Sequence, residues 1–157
     1  MVKVCDNKSV GMLVWQGQEL LLIERRKPPF GFAPPAGHVD DDASFEIAAK
    51  RELKEEVGLD TEGIELVTER RKKNKCRRED GSWHYWKICK VQVSGSLQRS
   101  KEETKQAHFY SKNDLSKLAL RTEQYLSGDI SEKDWEKSPG LEPVWLEWLK
   151  ELKIIGI

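Results

Sequence analysis

The sequence has few of the features that mark secreted, membrane-spanning or highly charged proteins. It contains only three cysteines in 157 residues, and its formal net charge is zero, with 27 basic and 27 acidic residues. No apolar run reaches the roughly 18 residues that a membrane-spanning helix needs, and the start does not resemble a signal peptide. We therefore expect a soluble, cytoplasmic protein without a membrane partner, and the net charge gives no indication of a nucleic-acid partner.

The cysteines indicate neither a disulfide framework nor a metal site by their spacing. Cys5, Cys76 and Cys89 are odd in number and lie far apart in the chain. Their simplest interpretation is three free thiols in a reducing compartment. The length suits one domain with a core of its own, and no repeat or low-complexity linker divides the chain. We therefore predict a single domain over residues 1–157.

Apolar runs predict several strands. Residues 9–15 and 20–24 are β-like, and Gly17 between them suits a hairpin turn. Both runs are almost continuously apolar, so we expect them to be covered on both faces. Residues 64–69 and 83–93 predict two more strands, with Asp60 to Gly63 as a turn before the first of them. Asp80-Gly81 predicts a tight two-residue hairpin turn, which would place Cys76 opposite Tyr85 and Cys89 opposite Lys72.

Three segments predict helices. One follows Ser44 and ends at Gly58, a pattern typical of a side-chain cap and a left-handed terminus. A second covers residues 114–127, and a third begins at Pro143. The third helix carries a strong apolar stripe, which favours packing in the core over a lid or a dimer contact. Strand hairpins with a few intervening helices predict a mixed α/β domain.

The helix before Gly58 carries an unusual set of carboxylates. At about 100° per residue, Glu52, Glu55 and Glu56 share one face with small apolar residues. Like charges this close repel, and carboxylates removed from water need partners. A hard divalent cation such as Mg²⁺ or Mn²⁺ is a suitable partner for oxygen ligands. The alternative is a solvated charged helix with ordinary ion pairs such as Arg51–Glu55.

The segment from residue 37 to residue 59 closely resembles the Nudix box. The residues that match the box are Gly37, Arg51, Glu52, Leu53, Glu55, Glu56, Gly58 and Leu59. One position departs from it, because Ala43 stands where the first glutamate of the box is expected. The neighbouring Asp42 is a candidate substitute. The loss of that glutamate affects a supporting position and could lower metal affinity or activity.

The resemblance implies the Nudix fold, a mixed β-sheet sandwiched between α-helices. It also implies that the Gly37 carbonyl and the carboxylates of Glu52, Glu55 and Glu56 bind the metal, with Arg51 orienting the glutamates. One of these glutamates, or Glu103 by a looser match, would act as the base. The expected activity is Mg²⁺- or Mn²⁺-dependent hydrolysis of a diphosphate linkage in a nucleoside diphosphate joined to another group, such as a nucleotide sugar or ADP-ribose.

Candidate substrate contacts lie outside the box. Arg25 or Arg26 could bind a substrate phosphate through the planar guanidinium, although a solvated strand end is the simpler interpretation of these residues. Phe32 could stack on a base or belong to the core. Seven of the nine residues in the segment 70–78 are basic. This run is open to three interpretations, namely a solvated arm, a guard on an anionic substrate channel and an RNA-binding arm.

The expected partner is a small nucleotide, and the expected state is a monomer or a homodimer. Two other functions remain open at this point. The nearer alternative is another Nudix substrate, either a nucleoside triphosphate or the capped end of an RNA. The more distant alternative is a nucleotide-binding Nudix module with weakened catalysis, and Ala43 is the feature in its favour.

Overall fold

The computed structural model describes residues 3–156, which form two four-stranded sheets and four helices. The strands are β1 (Lys8–Leu13), β2 (Trp15–Gln16), β3 (Glu19–Arg25), β4 (Phe32–Ala33), β5 (Ala36–His38), β6 (Asp60–Lys72), β7 (His84–Ser94) and β8 (Thr104–Tyr110). The helices are α1 (Phe45–Val57), α2 (Lys112–Leu126), α3 (Glu132–Lys137) and α4 (Pro143–Glu151).

The two sheets differ in their strand pairing. The first has the order β5-β1-β7-β6, with β1 parallel to β7 and the other pairs antiparallel. In the second, β3 pairs antiparallel with β2, β4 and β8. The chain crosses from the first sheet to the second at the buried Val14, and the predicted turn at Gly17 then returns it as β3.

Strand β3 shows how the sheets separate two layers of core. Leu20 and Leu22 belong to one buried cluster, whereas Leu21 and Ile23 belong to the other. Successive side chains of a strand point to opposite faces, so a continuous apolar run is what a strand covered on both faces requires. The predicted burial of the two N-terminal strand segments on both faces is therefore confirmed.

Helices cover both outer faces of this arrangement. Helix α1 packs into one cluster through Ala48, Ala49 and Leu53. Helices α2 and α4 pack into the other, where Leu115 and Trp145 are almost completely buried. The mixed sheet arrangement sandwiched between α-helices is therefore confirmed, and the apolar stripe of α4 is core.

The boundaries of α1 agree with those predicted. The Ser44 hydroxyl accepts a hydrogen bond from the backbone N–H of Ile47, at 3.1 Å, which satisfies a free donor of the first turn. Gly58 ends the helix with φ at 73°, and its N–H donates to the Lys54 carbonyl. Local sequence chemistry is thus sufficient to position the helix that carries the three glutamates.

The hairpin after α1 differs from the predicted one. Asp60 to Gly63 belong to β6 rather than to a turn, and the connection from β6 to β7 is a loop of residues 73–83, hereafter the basic loop. Tyr85 therefore faces Arg71 rather than Cys76, and Cys89 faces Leu66 rather than Lys72. The prediction of a tight turn at Asp80-Gly81 was wrong because the N-terminal segment pairs with this loop.

Contacts with residues 3–7 replace the hairpin pairing in the basic loop. The Cys5 N–H donates to the Glu79 carbonyl at 2.7 Å. The Asn7 side chain donates to the carbonyls of Asp80 and Trp83, at 3.0 and 2.8 Å. None of the three cysteines forms a disulfide. The backbone groups of the loop are thus satisfied by tertiary partners that no local turn signal reveals.

A glycine substitution tests the packing of α4 on β1. A Cβ at Gly11 would overlap the indole of Trp145, so we expect Gly11→Ala to lower the free energy of unfolding, by about 1–3 kcal/mol. The matched control is Gly63→Ala, whose Cβ would meet only the flexible end of the Gln92 side chain. We expect the control to change stability by less than about 0.5 kcal/mol. Urea unfolding measures both, and equal stability of the two variants would contradict this packing.

Candidate active site

The carboxylates of Glu52 and Glu56 lie against the backbone of β5. The Ala36 N–H donates to Oε1 of Glu56 at 3.0 Å. At Gly37, the next residue, a Cβ would overlap the Glu52 carboxyl group. A residue without a side chain is therefore required here for the helix and the strand to approach this closely. This contact accounts for the glycine at the start of the box.

Burial changes the acidity of both carboxyl groups. Glu56 is only 4% exposed, and burial, together with the charge of Glu52, raises its pKa well above the usual range, with Arg25 opposing the shift. Burial also raises the pKa of Glu52 to about 7, although Arg51 favours its charged form. Two neighbouring carboxyl groups whose negative charges are only partly balanced by nearby basic groups are suited to bind a cation. Their oxygen donors fit Mg²⁺ or Mn²⁺ better than a thiophilic metal.

Arg51 links the box residues by four contacts. Its guanidinium contacts Glu52 at 2.9 Å, Glu55 at 3.2 Å and the His38 carbonyl at 3.0 Å. The fourth contact is to Asp42, at 2.8 Å. Asp42 thus supplies a carboxylate beside Ala43, where the box glutamate is missing. Glu55 lies at the exposed edge of this group and does not line the cleft formed by Glu52 and Glu56.

Glu103 and Arg25 line the same cleft as Glu52 and Glu56. Glu103 lies in the turn before β8, and its charge contributes to the raised pKa of both glutamates of α1. The turn is fixed by the Arg26 N–H, which donates to the Glu103 carbonyl at 2.9 Å. The Arg25 guanidinium lies close enough to Glu56 to favour its charged form. With Gly37 of β5, the fold therefore brings together five of the predicted residues from four separate segments.

Arg26 and Phe32 are not brought to the cleft. The Arg26 guanidinium donates to the carbonyls of Lys101 and Thr104, at 2.9 and 3.3 Å. It thus stabilises the turn beside Glu103. Phe32 is 7% exposed and packs edge-on against Tyr110. Of the two interpretations of Phe32, its burial favours a place in the core over stacking on a substrate base.

The basic run divides into two parts with different contacts. At its start, Lys72 lies over the Trp148 ring at 4.6 Å and, like Arg70, pairs with Glu151. These residues attach β6 to α4 and are not a free arm. In the second part, Lys75, Arg77 and Arg78 line the cleft. Of the three interpretations of this run, the geometry favours a guard on an anionic substrate channel.

Sequence reasoning missed further parts of the cleft wall. Glu142, at the start of α4, is 7% exposed, and burial raises its pKa, with Arg25 opposing. Trp86 and Trp145 also line the cleft. These residues lie far from the box in sequence, and no local pattern marks them. Of the cleft wall outside the predicted site residues, the sequence marked only the basic run, which was interpreted as a candidate guard on an anionic substrate channel.

Comparison with known proteins agrees with this architecture. A profile of the NUDIX domain matches residues 6–127. The chain is 30% identical over 121 residues to an ADP-ribose pyrophosphatase of Methanocaldococcus jannaschii, covering 75% of this chain and 69% of the relative. A MutT NUDIX hydrolase from Burkholderia pseudomallei superposes with a TM-score of 0.60 at 20% identity, over 68% of this chain and 84% of that one. An Ap4A hydrolase from C. elegans superposes with a TM-score of 0.53 at 24% identity, over 77% of this chain and 99% of that one.

The chain belongs to the Nudix family. It is a Nudix-type pyrophosphohydrolase, a class of enzymes that acts on small nucleotide substrates and generally uses a divalent metal. The expectation from the box is thereby confirmed at the level of fold and enzyme class. Within residues 3–156, every helix is too short or too polar to cross a lipid bilayer.

The contact between Asp42 and Arg51 predicts a measurable effect on metal binding. We expect Asp42→Ala to weaken Mn²⁺ binding roughly 10–100-fold, as losses of groups that orient metal ligands do. The control is Asp41→Ala, which removes an exposed neighbouring carboxylate. Isothermal titration of Mn²⁺ into each variant measures the affinity. Equal affinity in both variants would show that Asp42 does not replace the missing box glutamate.

Proposed function

We propose that this enzyme hydrolyses the diphosphate linkage of a nucleoside diphosphate joined to another group, of the ADP-ribose or nucleotide-sugar type. The observation that carries the proposal is the charge pattern of one cleft. The cleft contains the buried carboxylate of Glu56 and the partly buried carboxylate of Glu52, together with basic side chains from β3 and the basic loop. A metal-bound diphosphate is complementary to both parts. The similarity to a relative described as an ADP-ribose pyrophosphatase supports the same substrate class.

The ligands proposed for Mg²⁺, or for Mn²⁺, are the carbonyl of Gly37 and the carboxylates of Glu52 and Glu56, which line the cleft. Glu55 is proposed as a further ligand from the exposed edge of the group, where it now pairs with Arg51. Such an ion supplies neutralisation of phosphate charge and a lower pKa for bound water. The raised pKa values of Glu52 and Glu56 fit this role, since a nearby cation would favour their charged forms.

The other residues of the cleft have distinct proposed roles. Arg51 is a positioning residue, because its four contacts fix the orientation of the carboxylates around it. Glu103 is our candidate for the base that accepts a proton from the attacking water. Its side chain is exposed and lines the cleft, whereas Glu56 is committed to the Ala36 N–H and Glu52 and Glu55 are paired with Arg51.

Phosphate binding is proposed for Arg25, Lys27 and the basic loop. Arg25 is half-buried, and within residues 3–156 the one side-chain hydrogen bond of Arg25 is the long contact from Nη2 to the Pro28 carbonyl, at 3.5 Å. Its guanidinium can therefore bind a phosphate as a fork. Lys75 and Arg77 of the loop are exposed and line the cleft, where they would attract an anionic substrate. Arg78 is engaged with Asp40, with Nη2 3.1 Å from Oδ2.

A substrate with more phosphates is the second candidate function. The several basic side chains of the cleft rim favour it, and so does the likeness to a structure described as an Ap4A hydrolase. Nucleoside triphosphates, dinucleoside polyphosphates and capped RNA belong to this group. The third possibility, a module with weakened catalysis, depends on Ala43, which stands in place of the box glutamate. Asp42 offers a carboxylate beside that position and contacts Arg51, so the main support for this possibility is lost.

We also propose that residues 1–157 form one Nudix domain. Helix α4 lies beyond the matched residues 6–127, yet its Trp145 and Trp148 share a core with Leu13 and Ile88 of the sheet. The oligomeric state, a monomer or a homodimer, stays a prediction.

A substrate panel with one active-site variant tests the proposed function. The panel comprises ADP-ribose, nucleotide sugars, dinucleoside polyphosphates, nucleoside triphosphates and a capped RNA, each with Mg²⁺ and with Mn²⁺. We expect ADP-ribose or a nucleotide sugar to give the highest kcat/KM. Glu56→Gln should lower turnover roughly 10²–10³-fold or more, since charge stabilisation at the diphosphate is lost.

The matched control is Glu46→Gln, which changes an exposed glutamate in the first turn of the same helix. It should keep wild-type turnover, and circular dichroism should show that both variants fold. Preferred hydrolysis of a triphosphate, a dinucleoside polyphosphate or the RNA cap would favour the second candidate. Unchanged turnover in Glu56→Gln would contradict the proposed metal site itself.

A further inference from the structure

A second group of metal-binding side chains lies beside the cleft. Cys5, His38, Cys76 and His84 each offer one ligand atom, and these four atoms all lie within 4.8 Å of one another. They come from four separate segments, namely the stretch before β1, strand β5, the basic loop and the start of β7. The donors are sulfur and nitrogen, in contrast to the oxygen donors of the α1 site.

Two members of the cluster, Cys5 and His84, are buried, and His38 and Cys76 are partly buried. Sγ of Cys5 accepts a hydrogen bond from the Asn7 N–H at 3.3 Å. His84 is 1% exposed and Cys5 is 6% exposed. Nε2 of His84 lies 3.3 Å from Sγ of Cys5. Nε2 of His38 is buried without a hydrogen-bond partner in the described part of the chain. Buried polar atoms left unpaired are costly, and in native proteins they call for an explanation such as a bound ion.

The surrounding backbone holds the two thiols in the cluster. The Cys76 N–H donates to the Gly81 carbonyl at 2.8 Å, and a Cβ at Gly81 would overlap Sγ of Cys76. Glycine at residue 81 therefore leaves the room that this sulfur occupies. The Cys5 N–H is bonded to the Glu79 carbonyl of the same loop. Both cysteines are thus fixed by one loop, although they lie far apart in sequence.

We propose that Cys5, His38, Cys76 and His84 bind a structural Zn²⁺ ion. Two sulfur and two nitrogen donors are a common set for tetrahedral zinc. Mg²⁺ and Mn²⁺ prefer oxygen ligands, so this site would be selective against the ion expected at α1. Four protein ligands leave no position open for substrate, which is the mark of a structural site rather than a catalytic one.

The ion would attach the basic loop to the sheet beside the active site. His38 follows Gly37 directly, and the loop that contains Cys76 also carries Lys75 and Arg77 into the cleft. Zinc would thereby fix the wall that faces the substrate phosphates. The assignment of zinc rests on the cluster alone and does not depend on the proposed substrate.

Metal analysis of the full chain tests this site. The protein is purified without a polyhistidine tag in a reducing buffer that contains Mg²⁺, and its metals are measured by plasma mass spectrometry. We expect about one zinc ion per chain in the wild type and its loss in Cys76→Ser. The matched control Cys89→Ser changes a buried cysteine of β7 that lies outside the cluster, and it should retain zinc. Glu56→Gln should also retain it, even if turnover is lost.

Cobalt spectroscopy of the wild type supplies a readout that does not depend on any variant folding. We expect Co²⁺ added to metal-free protein to give sulfur-to-cobalt charge-transfer absorption, which Zn²⁺ abolishes and Mg²⁺ leaves unchanged. In folded Cys5→Ser and Cys76→Ser that absorption should fall. A wild-type protein without bound zinc and without this absorption would overturn the proposal. Zinc retention in Cys76→Ser equal to that in Cys89→Ser would overturn it as well.

Discussion

The close approach of α1 to the backbone of β5 is the contact on which the cleft depends. Glu56 accepts a hydrogen bond from the Ala36 N–H, and Glu52 occupies the space that a side chain at residue 37 would fill. Two carboxyl groups are thereby held out of water, at a cost in free energy that a bound cation would offset. The fold tolerates this cost because α1 is anchored by apolar packing along its other positions, where Leu53 and Val57 are fully buried. Buried apolar residues thus stabilise the helix directly beside the carboxylates that supply the chemistry.

The parts of the site that depend on neighbouring residues could be predicted from the sequence. Caps at Ser44 and Gly58 and the spacing of Glu52, Glu55 and Glu56 are local features, and a single helix carries them all. Adjacent residues of a strand point to opposite faces, so Arg25 and Arg26 could not both be expected to reach one cleft. Phe32 could not be assigned from sequence, since an aromatic residue after a proline-rich turn is equally compatible with a core and with a binding surface.

The parts that depend on distant residues could not be predicted. A turn signal at Asp80-Gly81 is valid for a free hairpin, but here the N-terminal segment competes for the same backbone groups. Spacing rules for zinc ligands assume that at least two lie close in sequence, whereas Cys5 and His84 are 79 residues apart. Glu142 and Trp145 reach the cleft from a helix beyond the part of the chain that resembles the family. Tertiary contacts, rather than local propensity, decide each of these positions.

The attachment of β6 to α4 through Lys72 has a consequence for how substrate preference can change in evolution. Lys72 is buried between the Trp148 ring and Glu151, and the basic loop begins at the next residue. Substitutions at Lys75 or Arg77, by contrast, alter exposed positions on the same stretch of chain. The segment thus has a buried anchor at Lys72 and exposed side chains at Lys75 and Arg77. Relatives could exchange the charges that face the substrate without disturbing the core, so differences among their loops would record selectivity rather than stability.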